Sequence, residues 1–388
     1  MKRSTERLLT THVGSLPRPE DLFDLMLARM DGQPVDQKAY DERVRDAVKD
    51  SVRQQAEVGL DVVNDGEMGK VSFITYAAQR LSGIERREGQ RPSPFADTRE
   101  TAAFPEYYKS ALAQQVSDRR RRSRVVCAGP IAYKGQAQIA ADLAALKAAL
   151  VGVGVAEAFV PAIAPSNVEA TTPNEYYPNA EAYVFAIADA MREEYKAIVD
   201  AGFLLQIDDP FLVTYYITRP DLSIAECRKW AELRVEALNH ALAGIPPDRI
   251  RFHTCYSINM GPRIHDMELK DIIDIIVKVR AGAYSFEAAN PRHEHEWAAW
   301  KHAGLADDKI LIPGVITQST VLVEHPDLVA QRLERFASVV GRERVIAGAD
   351  CGFASFAGSN EVHPSIVWAK LKALVDGARI ASKALWRS

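Results

Sequence analysis

Short apolar or β-branched runs alternate with longer amphipathic stretches along most of the chain, a rhythm that predicts parallel strands joined by helices. Leu8–Gly14, Leu60–Asn64, Ala158–Ala164 and Phe203–Ile207 read as strands, as do Arg249–Phe252, Ala283–Phe286, Ile310–Val315 and Val345–Ala349. Several stop abruptly in polar residues: Ser15, Asp65-Gly66-Glu67, Asp208-Asp209-Pro210, His253-Thr254-Cys255, Glu287 and Asp350-Cys351-Gly352. Helical patterns lie between them, among them Ala180–Ala201, Ile224–Ala243, His265–Arg280, Pro326–Val340 and Pro364–Leu385. Eight strands with intervening helices predict an α/β fold, the TIM (β/α)8 barrel.

A ninth strand candidate, Arg124–Ala128, breaks the count. It closes a polar, Pro-containing stretch, so residues 85–135 read as an excursion inserted after the second strand, a hairpin or lid. The expected organisation is one domain over residues 1–388, the excursion accounting for length beyond the roughly 250 residues of a plain barrel. Arg119–Arg122, inside the excursion, is either an anion or partner patch or a solvated face.

Composition narrows the function classes. Lys+Arg 48 against Asp+Glu 52 leaves a net charge of −4, a poor match to the basic surface that nucleic acid requires. Four cysteines in 388 residues make no disulfide scaffold, which points to a reducing, cytoplasmic setting. No run reaches the roughly 18 uncharged apolar residues of a membrane span, and MKRSTERLLTTHVGS has no apolar signal core.

In a barrel of this kind the active site forms at the C-terminal ends of the strands. His253 and Cys255 are two residues apart on extended chain, so their side chains share a face. Glu287 ends the next strand and Cys351 the last. Two thiolates, an imidazole and a carboxylate suit a tetrahedral zinc ion, whereas sulfur disfavours magnesium or calcium. Taken singly, a buried Cys is usually a small hydrophobe, and Glu287 could be a structural ion pair; the candidate rests on the four residues jointly. Cys127 and Cys227 have no such partners.

These strand ends, in this order, resemble the catalytic domain of cobalamin-independent methionine synthase. The landmarks are Thr11-His12-Val13-Gly14-Ser15-Leu16-Pro17-Arg18, Asp65-Gly66-Glu67 and Gln206-Ile207-Asp208-Asp209-Pro210. They continue with His253-Thr254-Cys255-Tyr256-Ser257, Ser285-Phe286-Glu287 and Asp350-Cys351-Gly352, so the resemblance covers nearly the whole chain. It implies zinc held by His253, Cys255, Glu287 and Cys351. It also implies a small amino-acid thiol such as homocysteine, its carboxylate at Gly14 and Ser15 and its ammonium at Glu67 and Asp208. The alternative for Glu67 and Asp208 is helix capping; Asp209 reads as a cap or a supporting group. No catalytic residue beyond the zinc site is assigned.

The chain departs from the family pattern on the methyl-donor side. The resemblance implies a doubled barrel in the full-length enzyme, and this chain has one. The family's pterin-stacking Trp has no counterpart in Ala164–Thr171, and its proton-transferring His has none in Gly314–Ser319. The expected activity is therefore zinc-dependent methyl or other alkyl transfer to homocysteine or a similar thiol, as in a 5-methyltetrahydropteroyltriglutamate–homocysteine methyltransferase. Methylfolate, a methyl-corrinoid or another alkyl compound is the donor. One alternative is thiol alkylation of the epoxyalkane:coenzyme M transferase type, for which Arg18, Arg263 and Arg292 are the candidate sulfonate ligands. The other is a non-catalytic zinc- or thiol-binding protein. Tyr256, Asn259, Arg292 and the pair His293 and His295 are further candidates for the pocket wall, with a solvated helix start the favoured reading of the two histidines.

Overall fold

The computed structural model describes residues 1–90, 97–116, 123–257, 261–355 and 362–387, and ten strands form among them. In chain order they are β1 (Leu9–Thr10), β2 (Val62–Val63), β3 (Ile84–Gln90), β4 (Ser123–Cys127) and β5 (Glu157–Ile163). Then come β6 (Leu204–Asp208), β7 (Ile250–Thr254), β8 (Ala283–Phe286), β9 (Ile310–Ile316) and β10 (Ile346–Ala349). Eight of them form one parallel sheet in the order β1-β10-β9-β8-β7-β6-β5-β2. A parallel bridge between Thr11 and Val62 joins its two edges, so the sheet closes on itself. This is the α/β TIM barrel that the strand count predicts.

The pleat sorts the side chains. Outward residues such as Leu205, Ile207, Phe252, Tyr284, Phe286 and Leu311 join the large core under the helices. Val62, Phe159 and Leu204 form a separate small cluster, as do Leu9, Ala283, Ile310, Ile312 and Ile346, and Met1 packs against both. Above this plug the inner face turns polar. Cross-strand register pairs Gln206 with Arg251, and Asp208 with His253. Because side chains two apart share a face, Gln206 and Asp208 rise from β6 beside Arg251 and His253 from β7. Arg251 reaches across the barrel to Thr11 Oγ1 (3.0 Å) and the His12 carbonyl (2.8 Å).

One local expectation changes. The stretch His265–Arg280 is not one helix but a 3-10 turn at Leu269–Asp271 and a single α-turn at Ile273–Ile276. Ile272, Ile273, Ile275, Ile276 and Val279 are all buried, a β-branched run with low helix propensity. Tertiary bonds also compete for its start, with Leu269 N–H donating to Glu296 Oε1 at 2.7 Å. Arg124–Ala128, the ninth strand candidate, corresponds to β4. That strand lies outside the barrel, antiparallel to β3 in a two-stranded sheet.

Beyond β3, the segment containing helices Arg99–Ala103 and Pro105–Val116 reaches the loops that follow β6 and β7. Arg99 donates to the carbonyls of Tyr216 and Arg219, both at 3.1 Å, and Glu100 Oε1 accepts the His265 N–H at 2.6 Å. Arg119–Arg122 lie outside the described residues. Among the described residues, no helix is long and apolar enough to cross a membrane.

One buried ionic cluster ties the helix Ala180–Asp200 to the barrel. Glu194 accepts from Tyr76 Oη (2.8 Å), Arg80 Nη1 (3.1 Å) and Tyr133 Oη (2.6 Å). Arg80 and Glu194 side chains are only 7% and 1% exposed, so removing Glu194 takes the shared acceptor from Arg80 Nη1 and both tyrosine hydroxyls, and leaves Arg80 its ion pair with Asp142. Glu194→Ala is expected to cost about 3–5 kcal/mol, read as a lowered midpoint in chemical or thermal unfolding.

Candidate metal and thiol site

His253 sits on the inner face at the end of β7, and its cross-strand partner is Ser285. Its Nδ1 lies 3.2 Å from Ser285 Oγ, while its buried Nε2 has no hydrogen-bond partner. If Nδ1 carries the proton, Nε2 presents a lone pair. The Sγ atoms of Cys255 and Cys351 are 3.4 Å apart, and both are free cysteines. One ligand atom from each of His253, Cys255 and Cys351 lies within 4.8 Å of the others. Strands distant in sequence thus deliver an imidazole and two sulfurs to one point.

Glu287 stands beside this cluster with both oxygens engaged. Its Oε1 accepts the Tyr256 N–H at 2.9 Å and its Oε2 accepts Asn290 Nδ2 at 2.8 Å. Burial, followed by repulsion from Asp350 and Cys351, holds its carboxyl well above the usual range. The hydrogen bond between the sulfurs splits the thiol pair. Cys351 is held well below its ordinary value by that bond and by His253, and Cys255 is pushed well above. Two buried sulfurs and a carboxyl beside an imidazole nitrogen without a hydrogen-bond partner make a donor set that a cation could satisfy, and its sulfur content suits zinc.

Asp350 braces the same region from the end of β10. Its Oδ1 accepts the N–H groups of Ala288 (2.7 Å) and Ala289 (2.8 Å), just beyond Glu287. Burial lifts this carboxyl to about 6. Space for Asp350 exists because residue 314 is glycine: a Cβ there would lie 2.1 Å from Asp350 Oδ1 and 2.6 Å from its backbone nitrogen. Gly314→Ala must therefore displace β10 relative to β9. The expected cost is about 1–3 kcal/mol of stability, with weakened zinc retention measured by competition against a chelator.

The residues expected to take a substrate headgroup, Gly14, Ser15, Glu67 and Asp208, are buried at or just beyond the ends of β1, β2 and β6. Gly14 has φ +151°, and a Cβ there would meet Glu67 Oε1 at 2.9 Å. Ser15 interlocks with the loop that carries Cys351. Its carbonyl accepts the Phe353 N–H at 3.0 Å, and a Cβ on Gly352 would lie 2.1 Å from Ser15 Oγ. Glu67 adopts φ +57°, a left-handed conformation uncommon for a non-glycine residue and common at functional sites. Its Oε2 is buried without a hydrogen-bond partner.

Asp208 Oδ1 accepts Gln206 Nε2 at 2.7 Å, and Gln206 Nε2 also donates to the Val13 carbonyl. Burial pushes both Glu67 and Asp208 above the ordinary carboxyl range, well above in Asp208, where repulsion from Glu67 adds to it. Cys351 raises both carboxyls further, so the thiol pair and the carboxylate pair share one electrostatic environment. The helix-capping bond in this loop belongs to Asp209, whose Oδ1 accepts the Leu212 N–H at 3.1 Å.

Of the arginines read as sulfonate ligands, Arg18 and Arg263 are occupied. Arg18 is buried and donates to the carbonyls of Leu16, Ala354, Glu67 and Lys70, tying together the loops after β1, β2 and β10. Arg263 is paired with Asp266 at 2.8 Å and also donates to the Tyr256 carbonyl. Arg292 donates to the Ile264 carbonyl at 3.0 Å, and Asn259 lies outside the described residues. His295 is exposed at the start of a 3-10 helix, but His293 is not a solvated residue. Its ring stacks on Tyr256 (centroids 3.7 Å apart), and it lies between Glu296 (2.8 Å) and Asp266 (3.2 Å). Two acidic partners outweigh burial and raise its pKa, and a local reading of His-Glu-His could not supply Asp266.

Sequence reasoning left Gln206, Asp350 and Asn290 without roles. Gln206 was within reach, being two residues before Asp208 on the same inner face; Asn290 requires the folded loop.

The chain is similar to known proteins along nearly its whole length. The profile of the family described as "Cobalamin-independent synthase, Catalytic domain" matches residues 8–91 and 122–379. The gap between the matched segments falls in the region between β3 and β4. A methionine synthase of Saccharolobus solfataricus is 24% identical over 385 residues, covering 98% of this chain and 96% of that protein. A methionine synthase of Thermococcus kodakarensis is 25% identical, with 98% and 95% covered. Among solved structures, a B12-independent methionine synthase from Shewanella sp. W3-18-1, in complex with selenomethionine, superposes with TM-score 0.71 at 20% identity. That match covers 98% of this chain and 99% of the other, and at such identity it speaks for the fold.

Proposed function

Because the chain belongs to the family of cobalamin-independent synthase catalytic domains, we propose that it is a methyltransferase that alkylates the thiol of homocysteine or a closely similar amino acid. The observation that carries this reading is one shared environment holding the His253, Cys255 and Cys351 cluster together with the buried carboxylates Glu67 and Asp208. Sulfur and imidazole ligands serve the thiol end of such a substrate, and carboxylates serve its ammonium.

His253, Cys255 and Cys351 would hold zinc, with Glu287 beside them as the fourth candidate ligand. A bound zinc ion supplies the Lewis acidity that keeps a substrate thiol deprotonated near neutral pH, where a free thiol of pKa about 8.5 is mostly protonated. The protein's own part is orientation. Glu67 offers its unpartnered Oε2 to the ammonium, and Asp208 is steered by Gln206 Nε2. The Gly14–Ser15 backbone and the Ser15 hydroxyl offer donors to the carboxylate. Because Phe353 N–H holds the Ser15 carbonyl, the headgroup subsite and the loop of Cys351 are fixed to each other.

The coenzyme M reading needs a cation free to meet a sulfonate. The guanidinium groups of Arg18 and Arg263 are committed to carbonyls and to Asp266, which favours the amino-acid thiol. On the donor side, Asn167 is buried in Pro165–Thr171, where the family pattern would place the pterin-stacking Trp, and its Nδ2 bonds Asp209 Oδ1 at 2.9 Å. A donor that needs no aromatic stack there, such as a methyl-corrinoid, fits this chain better than methylfolate.

The test is a donor screen with zinc-loaded protein, L-homocysteine and coenzyme M as acceptors, and methylcobalamin and methyltetrahydrofolate as donors. Methionine formation from homocysteine is expected. Alkylation of coenzyme M alone contradicts the amino-acid assignment, and zinc binding without transfer from any donor favours a non-catalytic binding protein.

A further inference from the structure

Asn64, the residue directly after β2, is fully buried. Its Oδ1 accepts the Gly66 N–H at 2.9 Å, which fixes the orientation of the amide. Its backbone is equally committed, the N–H donating to Gln55 Oε1 at 3.0 Å and the carbonyl accepting Gln55 Nε2 at 2.8 Å. The Nδ2 group, which carries two N–H donors, has no hydrogen-bond partner. Buried polar groups are nearly always satisfied, so such a donor calls for an explanation.

The position of Nδ2 supplies one. A Cβ built on Gly14 would lie 3.4 Å from Asn64 Nδ2, 2.9 Å from Glu67 Oε1 and 3.0 Å from Pro161 Cγ. The missing side chain of Gly14 is thus flanked by an amide donor with no hydrogen-bond partner and a carboxylate whose Oε2 accepts no hydrogen bond, Arg18 Nη2 standing 4.0 Å from it. A donor beside an acceptor is the complement of an α-amino-acid headgroup, whose carboxylate accepts and whose ammonium donates.

We propose that Asn64 Nδ2 donates to the α-carboxylate of the thiol substrate and makes the site selective for amino acids over thiol amines that lack the carboxylate. This inference rests on the proposed function, and it adds a specificity residue to the Gly14–Ser15 subsite. Asn64 and Glu67 then divide the headgroup between them.

The experiment is calorimetric titration of zinc-loaded wild type and Asn64→Asp with L-homocysteine and with 3-aminopropane-1-thiol, which is homocysteine without its carboxylate. Aspartate keeps the acceptor for Gly66 N–H but sets a negative charge where the donor was. The variant is expected to bind homocysteine about 10- to 100-fold more weakly, the size of a lost charge-assisted hydrogen bond, while its affinity for the aminothiol changes by less than about threefold. Equal losses for both ligands, or no loss for either, overturn the role of Asn64 and leave the proposed function standing. Failure of wild type to bind homocysteine overturns the amino-acid reading itself. A crystal structure of the wild-type homocysteine complex decides the matter without the variant: Asn64 Nδ2 within hydrogen-bond distance of the carboxylate supports the assignment, and a carboxylate lying elsewhere overturns it.

Discussion

Replacing Cys351 with serine is expected to abolish zinc retention and alkyl transfer together. Cys351 is the sulfur held as thiolate in this cluster, 3.4 Å from Cys255 and drawn down by the hydrogen bond from that thiol and by His253. A serine hydroxyl is nearly isosteric but is a harder donor that stays protonated, so it forfeits the thiolate ligand while leaving the loop's packing in place. Mutating even outer-shell partners of metal ligands lowers affinity or activity about 10- to 100-fold; loss of a direct sulfur ligand should exceed the top of that range. Cys255→Ser should behave alike. Cys127→Ser and Cys227→Ser serve as controls, because both thiols are buried outside the cluster and should leave zinc content unchanged. Metal analysis after gel filtration reads the zinc, and a transfer assay reads the rest.

Glu67→Gln is expected to separate binding from folding in opposite directions. In the free protein Glu67 is a buried carboxylate whose pKa is raised, chiefly by burial, against the opposing influence of Lys70 and Arg18. Its ionised form therefore costs stability, and glutamine removes that cost. Linkage fixes the pH window. A carboxyl whose folded-state pKa lies above its ordinary value of about 4.5 destabilises the folded state increasingly as pH rises past that value. The gain in the variant's thermal midpoint should be absent at pH 4 and appear progressively above pH 5. Homocysteine binding should move the other way, because the ammonium loses its charged partner. Truncating a buried charge pair costs about 2–5 kcal/mol, so KM should rise by roughly 30-fold or more, with kcat less affected. A variant less stable than wild type at pH 8 contradicts the assignment of Glu67 as a charge whose burial outweighs the compensation from Lys70 and from Arg18, 4.0 Å away.

Much of the barrel was legible because strand ends and helix starts carry local signals. Asp65-Gly66-Glu67, His253-Thr254-Cys255 and Asp350-Cys351-Gly352 each mark a strand terminus, and a parallel barrel brings all such termini to one rim. The stretch His265–Arg280 misled because its isoleucines match helical spacing while their β-branched side chains and the bond from Leu269 to Glu296 favour short turns. His293 misled because the acid that raises its pKa, Asp266, arrives from another loop. Contacts across the barrel were illegible for the same reason. Neither the reach of Arg251 to the His12 carbonyl nor the approach of Asn64 to Gly14 leaves any mark in local sequence.

The roles of the site residues divide along that line. Ligand types at strand ends announce themselves by chemistry, since cysteine and histidine two residues apart are rarely placed so by packing alone. The groups that aim them do not. Asp350 bracing the loop beyond Glu287, and Arg18 tying together the loops after β1, β2 and β10, are backbone-directed bonds that need folded coordinates to be seen.

The most direct test of the account is X-ray absorption at the zinc edge, recorded on zinc-loaded wild type before and after saturation with L-homocysteine. The sulfurs of Cys255 and Cys351 should appear as zinc neighbours in the free protein, together with nitrogen from His253, and one additional sulfur should appear once homocysteine is bound. Protein that retains no zinc, or a sulfur shell unchanged while homocysteine saturates the site, contradicts the claim that this cluster holds the metal and presents the substrate thiol to it.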